Sequence, residues 1–102
     1  MIFVIATIET ATGRRDDFLA EFHKVVPLVR AEEGCIEYGP TVDVETSIAA
    51  QGDVRDDVVT VVENLESLPA LEAHLVAPHM LEYRARVKEL VERVSIQVLQ
   101  PA

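Results

Sequence analysis

Two histidines flank a proline in the stretch His74-Leu75-Val76-Ala77-Pro78-His79-Met80. Tyr83 lies one helical turn beyond His79, and Arg84 follows it directly. An imidazole can accept or donate a proton near neutral pH, and a tyrosine hydroxyl can stabilise an oxyanion. These residue types at this spacing indicate proton abstraction from a phenol or from the carbon beside a carbonyl group. His74, His79 and Tyr83 are therefore the candidate catalytic residues.

A structural role for the two histidines stays open, because half-buried imidazoles on a helix face often only satisfy hydrogen bonds within the fold. Glu63 and Asn64 end a predicted strand, so one of them should face the helices and the other the opposite side, and either could line a pocket. The acidic pair Glu32-Glu33 is expected on the solvated surface.

The sequence contains none of the familiar cofactor motifs. No glycine-rich phosphate loop follows a strand, and the three histidines lack the i, i+4 spacing of helix-borne metal sites. Cys35 is the single cysteine, which excludes an internal disulfide and a zinc framework built on thiolates. We therefore expect no flavin, haem or metal cofactor.

Charge narrows the choice of partner. The formal net charge of −9 predicts repulsion of phosphate backbones and anionic lipid headgroups, so we expect neither nucleic acid nor a membrane surface as a partner. The apolar opening run Met1–Ala6 lacks a basic flank and is far too short to span a bilayer. We expect a cytoplasmic protein with a small-molecule substrate.

The elements that must position these residues follow from hydrophobic periodicity. A chain of 102 residues has room for one domain, residues 1–102. Ile2–Thr10 is rich in β-branched residues with apolar side chains on both parities, which predicts a central strand covered on both faces. From Arg14 the period becomes helical, with one apolar stripe and with Pro27 inside the helix; the stripe comprises Phe18, Phe22, Val25 or Val26, and Val29.

The second half of the chain predicts two more strands before the histidine segment and one after it. Ile36, Tyr38, Val42 and Val44 share a parity in a second strand that Gly39-Pro40 interrupts. A polar segment over 45–57, either a loop or an irregular edge strand, precedes a third strand, Val58–Val62. Ser67 is a predicted N-cap for a short helix that ends at Ala77-Pro78, and a further helix begins at Pro78. Alternation of Val94, Ile96 and Val98 predicts the last strand.

The order β-α-β-β-α-α-β predicts an α+β fold of the ferredoxin-like, split βαβ kind, with helices on one face of a four-stranded antiparallel sheet. The other face of the sheet should be polar if it met water, yet strands one and three carry apolar residues on both parities. We therefore expect a homodimer in which two sheets pack face to face.

Two stretches, Glu32-Glu33-Gly34-Cys35-Ile36-Glu37-Tyr38 and the segment Glu66–Met80, resemble the signature segments of the antibiotic biosynthesis monooxygenase family. The second stretch is similar in particular to the form found in bacterial quinol monooxygenases, with His, Pro and His at the same spacing. The resemblance covers nearly the whole chain. It implies a dimeric α+β barrel that uses no cofactor and has a pocket between the sheet and the helices of each subunit.

The same resemblance suggests which residues bind substrate. Thr7, His74 and Arg84 stand where haem-degrading relatives have an Asn, a Trp and a haem-ligating His, so no haem ligand remains but the three positions are implied to face the pocket. Val61 and Leu65 stand where anthrone-oxidising relatives have an Asn and a Trp. Together with Glu63, chosen for its place at the end of the third strand, the predicted substrate-binding residues are Thr7, Leu65 and Arg84.

Three functions remain open at this point. The first is a cofactor-independent monooxygenase that oxidises a quinol or a similar aromatic with O₂, with His74 or His79 as base and Tyr83 or Arg84 at the oxyanion. The second is an isomerase of a small phosphorylated, autoinducer-like sugar, in which Arg84 would meet the phosphate. The third is a non-catalytic stress-response dimer that binds a small molecule, since a fold does not fix a function.

Overall fold

Four strands and three helices form in the predicted order. The computed structural model describes residues 1–102. The elements are β1 (Ile2–Thr10), α1 (Arg15–Arg30), β2 (Cys35–Thr41), β3 (Val58–Leu65), α2 (Leu68–Leu75), α3 (Pro78–Val87) and β4 (Val91–Leu99).

The strands form one antiparallel sheet in the order β2-β3-β1-β4. Strand β1 lies in the interior of the sheet, as predicted, where Ala6 is opposite Val61 of β3 and Ile96 of β4. The arrangement is the ferredoxin-like α+β fold that the element order predicts.

Side chains of β1 alternate between the two faces of the sheet. Even-numbered residues from Ile2 to Thr10 are buried, with Ala6 and Ile8 in the main core beside α1 and α3, whereas odd-numbered residues such as Ile5 and Thr7 are only partly buried on the opposite, open face. In β3 the pattern is offset, so that Val59, Val61, Glu63 and Leu65 face the helices. The face that a residue occupies decides whether it can reach a site beneath the helices.

Strand β2 differs from its predicted form. It runs through Gly39 and Pro40 without interruption and ends at Thr41, so that Val42 and Val44 lie beyond it and are exposed. Proline is tolerated here because β2 is an edge strand, where one side of the backbone needs no ladder partner.

Helix α1 buries the predicted stripe and is continuous through Pro27. Helix α2 begins after Ser67, whose hydroxyl accepts a hydrogen bond from the backbone N–H of Ala70 at 3.3 Å. Helix α3 begins with Pro78, where the missing N–H is of no consequence in the first turn. The break between α2 and α3 places the two histidines on separate helices.

The main core lies between α1, α3 and the sheet. Four aromatic rings form its centre: Phe22 stacks on Tyr38 at 5.6 Å and meets Tyr83 edge to face at 5.6 Å, while Phe18 contacts both Phe22 and Tyr83. None of the three helices is long and apolar enough to cross a membrane.

Candidate active site

A cavity of about 340 Å³ opens between the helices and the sheet beside β4. This volume is at the lower end of the roughly 300–1,000 Å³ typical of small-molecule sites. Its lining is mostly apolar. Four of its polar or charged side chains belong to predicted site residues, His74, Glu63, Tyr83 and Arg84, and the other two are Tyr38 and Lys88. The structure thus brings four of the seven predicted site residues to one cavity.

His74, on the last turn of α2, is buried, with 3% of its surface exposed. Its Nδ1 lies 2.9 and 3.1 Å from the two carboxylate oxygens of Glu32. Because a carboxylate only accepts hydrogen bonds, Nδ1 carries the hydrogen, which leaves the lone pair on Nε2. The edge of Tyr38 packs against the imidazole at 5.4 Å. His74 is therefore held in the tautomer that can act as a base through Nε2.

Glu32 is the site residue that the sequence analysis missed. It lies in the turn after α1, and its side chain is 15% exposed, which contradicts the expected surface position. Gly34 fixes this turn with a φ of +85°, and a Cβ atom there would lie 2.8 Å from Cβ of Ala70 on α2. The backbone N–H of Glu66 also donates to the Gly34 carbonyl at 2.9 Å. The turn is thereby held against the start of α2, which brings Glu32 to His74.

His79 reaches the same carboxylate from a second helix. Its Nε2 contacts Oε2 of Glu32, and its side chain is 22% exposed in the first turn of α3. His79 is not among the residues that line the cavity. The structure therefore places it outside the cavity in which both histidines were expected, as a second contact of Glu32.

Glu63 lies on the other side of His74. Its Oε1 is 3.9 Å from Nε2 of His74, too far for a direct hydrogen bond, and this oxygen is buried without a hydrogen-bond partner. Burial, and then the negative charge of Glu32, raise the pKa of Glu63 to about 7. An unpartnered carboxyl and an imidazole thus lie at the buried part of an apolar cavity, where a ligand hydroxyl would satisfy both.

Tyr83 and Arg84 lie next to each other on α3 with different exposures. Burial raises the pKa of Tyr83, so its hydroxyl remains a hydrogen-bond donor at neutral pH. Arg84 is exposed at the mouth of the cavity, where its guanidinium donates a hydrogen bond to the carbonyl of Leu75. Both residues line the cavity.

Two predicted substrate-binding residues do not reach the cavity. Thr7 is an odd-numbered residue of β1 and lies on the open face of the sheet, away from the helices. Leu65 faces the helices but is enclosed in a separate small cluster with Ile2, Val4 and Leu71. The two residues therefore do not have the pocket positions that the resemblance implied. Thr7 is on the other face of the sheet because of its strand parity, and Leu65 is covered by α2.

No group of three or more His, Cys, Asp or Glu side chains is arranged to hold a metal ion.

Comparison with known proteins identifies the family of the chain. Residues 1–86 match the sequence profile of the family described as antibiotic biosynthesis monooxygenase. This chain belongs to that family. The resemblance noted in the sequence is thereby confirmed.

Similarity to individual members of the family extends over the whole chain. The chain is 43% identical over 103 aligned residues to the "Probable quinol monooxygenase YgiN" of Escherichia coli K12, covering 99% of this chain and 98% of that protein. The crystal structure of PA3566 from Pseudomonas aeruginosa superposes with a TM-score of 0.80 at 27% identity, over 99% of this chain and 93% of the other. The structure of Rv0793 from Mycobacterium tuberculosis superposes with a TM-score of 0.80 at 29% identity, over 99% of this chain and 94% of the other. The chain is thus a monooxygenase-family protein with a quinol monooxygenase homologue.

Proposed function

We propose that this protein is a cofactor-independent monooxygenase that oxidises a quinol, or a related electron-rich aromatic, with O₂. The observation that carries the proposal is the buried His74, whose Nδ1 is held by Glu32 and whose Nε2 is directed towards Glu63 inside an apolar cavity. The 43% identity to a protein described as a probable quinol monooxygenase supports the same substrate class.

The first step of the proposed mechanism is deprotonation of the substrate. Nε2 of His74 accepts the phenolic proton, and the Glu32 carboxylate stabilises the imidazolium that forms, because its negative charge lies against Nδ1. Glu63, with its pKa raised to about 7, can take up or return a proton on the other side of the ring. Tyr83 lines the same cavity and supplies a neutral hydroxyl that donates a hydrogen bond to the phenolate oxygen.

The second step is the reduction of O₂ by the substrate anion itself. One electron passes from the anion to O₂, and the two radicals combine at a ring carbon to form a peroxide. Loss of the ring hydrogen and cleavage of the O–O bond leave one oxygen atom on the ring and release the other as water. Quinol and O₂ are thereby converted to a hydroxylated quinone and one water molecule, with no external reductant.

The lining of the cavity favours an aromatic ring over a sugar. Side chains such as Phe22, Met80, Val87 and Ile96 offer no hydrogen bonds to the several hydroxyl groups of a phosphorylated sugar. The isomerase alternative would place the phosphate at the mouth of the cavity, but the apolar lining leaves the sugar hydroxyls without partners. The binding-only alternative gives the paired His74 and Glu32 only a structural role.

Oxygen uptake tests the proposal. Menadiol prepared without oxygen is mixed with aerated buffer, and the rate is compared with that of the same buffer containing heat-denatured protein. The proposal expects faster uptake that saturates with menadiol. If uptake stays at the background rate while the protein isomerises a phosphorylated sugar, the isomerase replaces it; if neither reaction occurs, the binding-only alternative replaces it.

We further propose that the protein acts as a homodimer in the cytoplasm. Phe3, Ile5 and Val62 lie on the open face of the sheet, and Val62 is 39% exposed. A second sheet packed on this face, roughly 10 Å away, would remove these apolar side chains from water.

A further inference from the structure

Two cations stand at the mouth of the cavity, Arg84 in α3 and Lys88 directly after it. Their i, i+4 spacing places both on one face of the helix, and both line the cavity that contains His74. Lys88 forms no hydrogen bond or ion pair, and Arg84 bonds only to the backbone carbonyl of Leu75. The mouth therefore has positive charge that no acidic side chain neutralises.

Stabilisation of the helix C-terminus does not account for this pair. Cations near the end of a helix interact favourably with its dipole, and Arg86 of α3 has the same advantage. Arg86, however, is directed away from the cavity and pairs with Glu21 of α1 at 3.1 Å. Arg86, which is directed away from the cavity, is paired with an acidic residue, whereas Arg84 and Lys88, which line the cavity, are not.

The positive mouth contrasts with the charge of the whole chain. The chain carries 18 acidic residues and a net charge of −9, yet Glu63 is the one acidic residue that lines the cavity. It lies in the buried part, and its raised pKa leaves it partly uncharged at neutral pH. An anion at the mouth would thus meet two cations, while the rest of the surface repels it.

We propose that the substrate of this site is an aromatic molecule of one or two rings that carries an anionic group, a carboxylate or a phosphate. The ring lies in the apolar cavity with its hydroxyl at His74, and the anion lies at the mouth between Arg84 and Lys88. The inference deepens the proposed function, on which it rests for the aromatic ring and the hydroxyl.

Binding of unreactive probes tests the inference without turnover. Calorimetric affinities of 2-naphthoate, 2-naphthyl phosphate and 2-naphthamide compare two anions with a neutral molecule of the same ring, and ribose 5-phosphate serves as a non-aromatic anion. The wild-type protein is compared with Lys88→Gln, Lys88→Glu and Arg84→Gln. Lys24→Gln is the matched control, because Lys24 is an exposed lysine of α1 that pairs with Glu21 and does not line the cavity.

We expect at least one naphthalene anion to bind about tenfold more tightly than the amide at low ionic strength, and less so in high salt, because the pair is exposed. The anion that binds more tightly shows whether the substrate carries a carboxylate or a phosphate. Lys88→Gln and Arg84→Gln should reduce this preference and Lys88→Glu should abolish it, with little change in amide affinity, while Lys24→Gln retains it.

Equal affinities for the amide and both anions would overturn the inference, as would a preference that survives Lys88→Glu or that Lys24→Gln reduces equally. Tighter binding of ribose 5-phosphate than of either naphthalene anion would overturn its aromatic part. Menadiol oxidation without an anion preference would refute the inference alone, whereas an anion preference without any oxygen uptake would refute the proposed function alone.

Discussion

Both carboxylate oxygens of Glu32 lie within hydrogen-bond distance of Nδ1 of His74, at 2.9 and 3.1 Å. The two residues are 42 positions apart in the chain, so the contact depends on the whole fold rather than on one helix. A carboxylate in this position selects the imidazole tautomer and stabilises the imidazolium, as the aspartate does in serine hydrolase triads. In the proposed mechanism Glu32 is therefore a positioning residue, and His74 is the base.

Replacement of the base gives the first prediction. We expect His74→Ala to lower kcat for menadiol by about 10²–10⁴-fold, the usual loss when a general acid or base is removed. The measurement is initial oxygen uptake over a range of menadiol concentrations. His23→Ala is the matched control, because His23 is exposed on α1. A His74→Ala protein with the wild-type rate would exclude His74 from the mechanism.

The second prediction tests whether Glu32 acts on His74 or only stabilises the fold. Glu32→Gln keeps the shape of the side chain but removes its charge, so the imidazolium of His74 loses its stabilising partner. We expect kcat to fall by about 10–10⁴-fold while KM changes little. Glu33→Gln, at the adjacent exposed position, is the control.

Circular dichroism of the Glu32→Gln protein should match the wild type. A variant that is folded and fully active would contradict the assigned role of Glu32, and a change in KM alone would place Glu32 in substrate binding instead.

The sequence predicted the helices and strands better than it predicted which side chains contact each other. The stripe from Phe18 to Val29 identifies α1 because burial of one helix face imposes its own period. Glu32 could not be selected in the same way, because two adjacent carboxylates occupy the turn. Which of them turns inward depends on the positive φ of Gly34 and on the close approach of α2 at Ala70.

Thr7 and Leu65 lie outside the cavity for separate reasons. Strand β1 is apolar on both parities, so its periodicity does not show which face the helices cover, and Thr7 lies on the other one. Leu65 is on the correct face, but it packs beneath Leu71 of α2. The sequence does not indicate which residues along β3 are covered by α2.

The third prediction concerns stability and pH. The pKa of Glu63 is raised from its ordinary value of 4.5 to about 7 in the folded protein, so the folded state binds this proton more tightly than the unfolded state does. Between these two pH values the free energy of unfolding should fall as pH rises. At about 1.4 kcal/mol for each pKa unit, the loss is on the order of 3 kcal/mol by pH values above 7.

Glu63→Gln removes that titration. Urea denaturation at about pH 4.5 and about pH 8.5 should show that the variant gains stability relative to the wild type at the higher pH, by the same order of magnitude. An identical pH dependence in the two proteins would show that Glu63 titrates normally.

The fourth prediction is the homodimer. Light scattering after gel filtration at micromolar concentration should give twice the 11.3 kDa mass of the chain. Val62→Asp introduces a charge on the open face and should shift the protein towards monomer. Val76→Asp, at a 68% exposed position after α2, is the control and should leave the mass unchanged. A wild-type mass near 11.3 kDa that persists on concentration would refute the proposed dimer.

The origin of the oxygen atom in the product tests the central claim most directly. Protein dialysed against a metal chelator, without added flavin or haem, is mixed with menadiol under ¹⁸O₂, and the products are analysed by mass spectrometry. The mechanism predicts a hydroxylated naphthoquinone with one ¹⁸O atom at the new hydroxyl, one labelled water for each turnover, and loss of this product in His74→Ala. Formation of unlabelled menadione with hydrogen peroxide, at the same rate with and without His74, would contradict it.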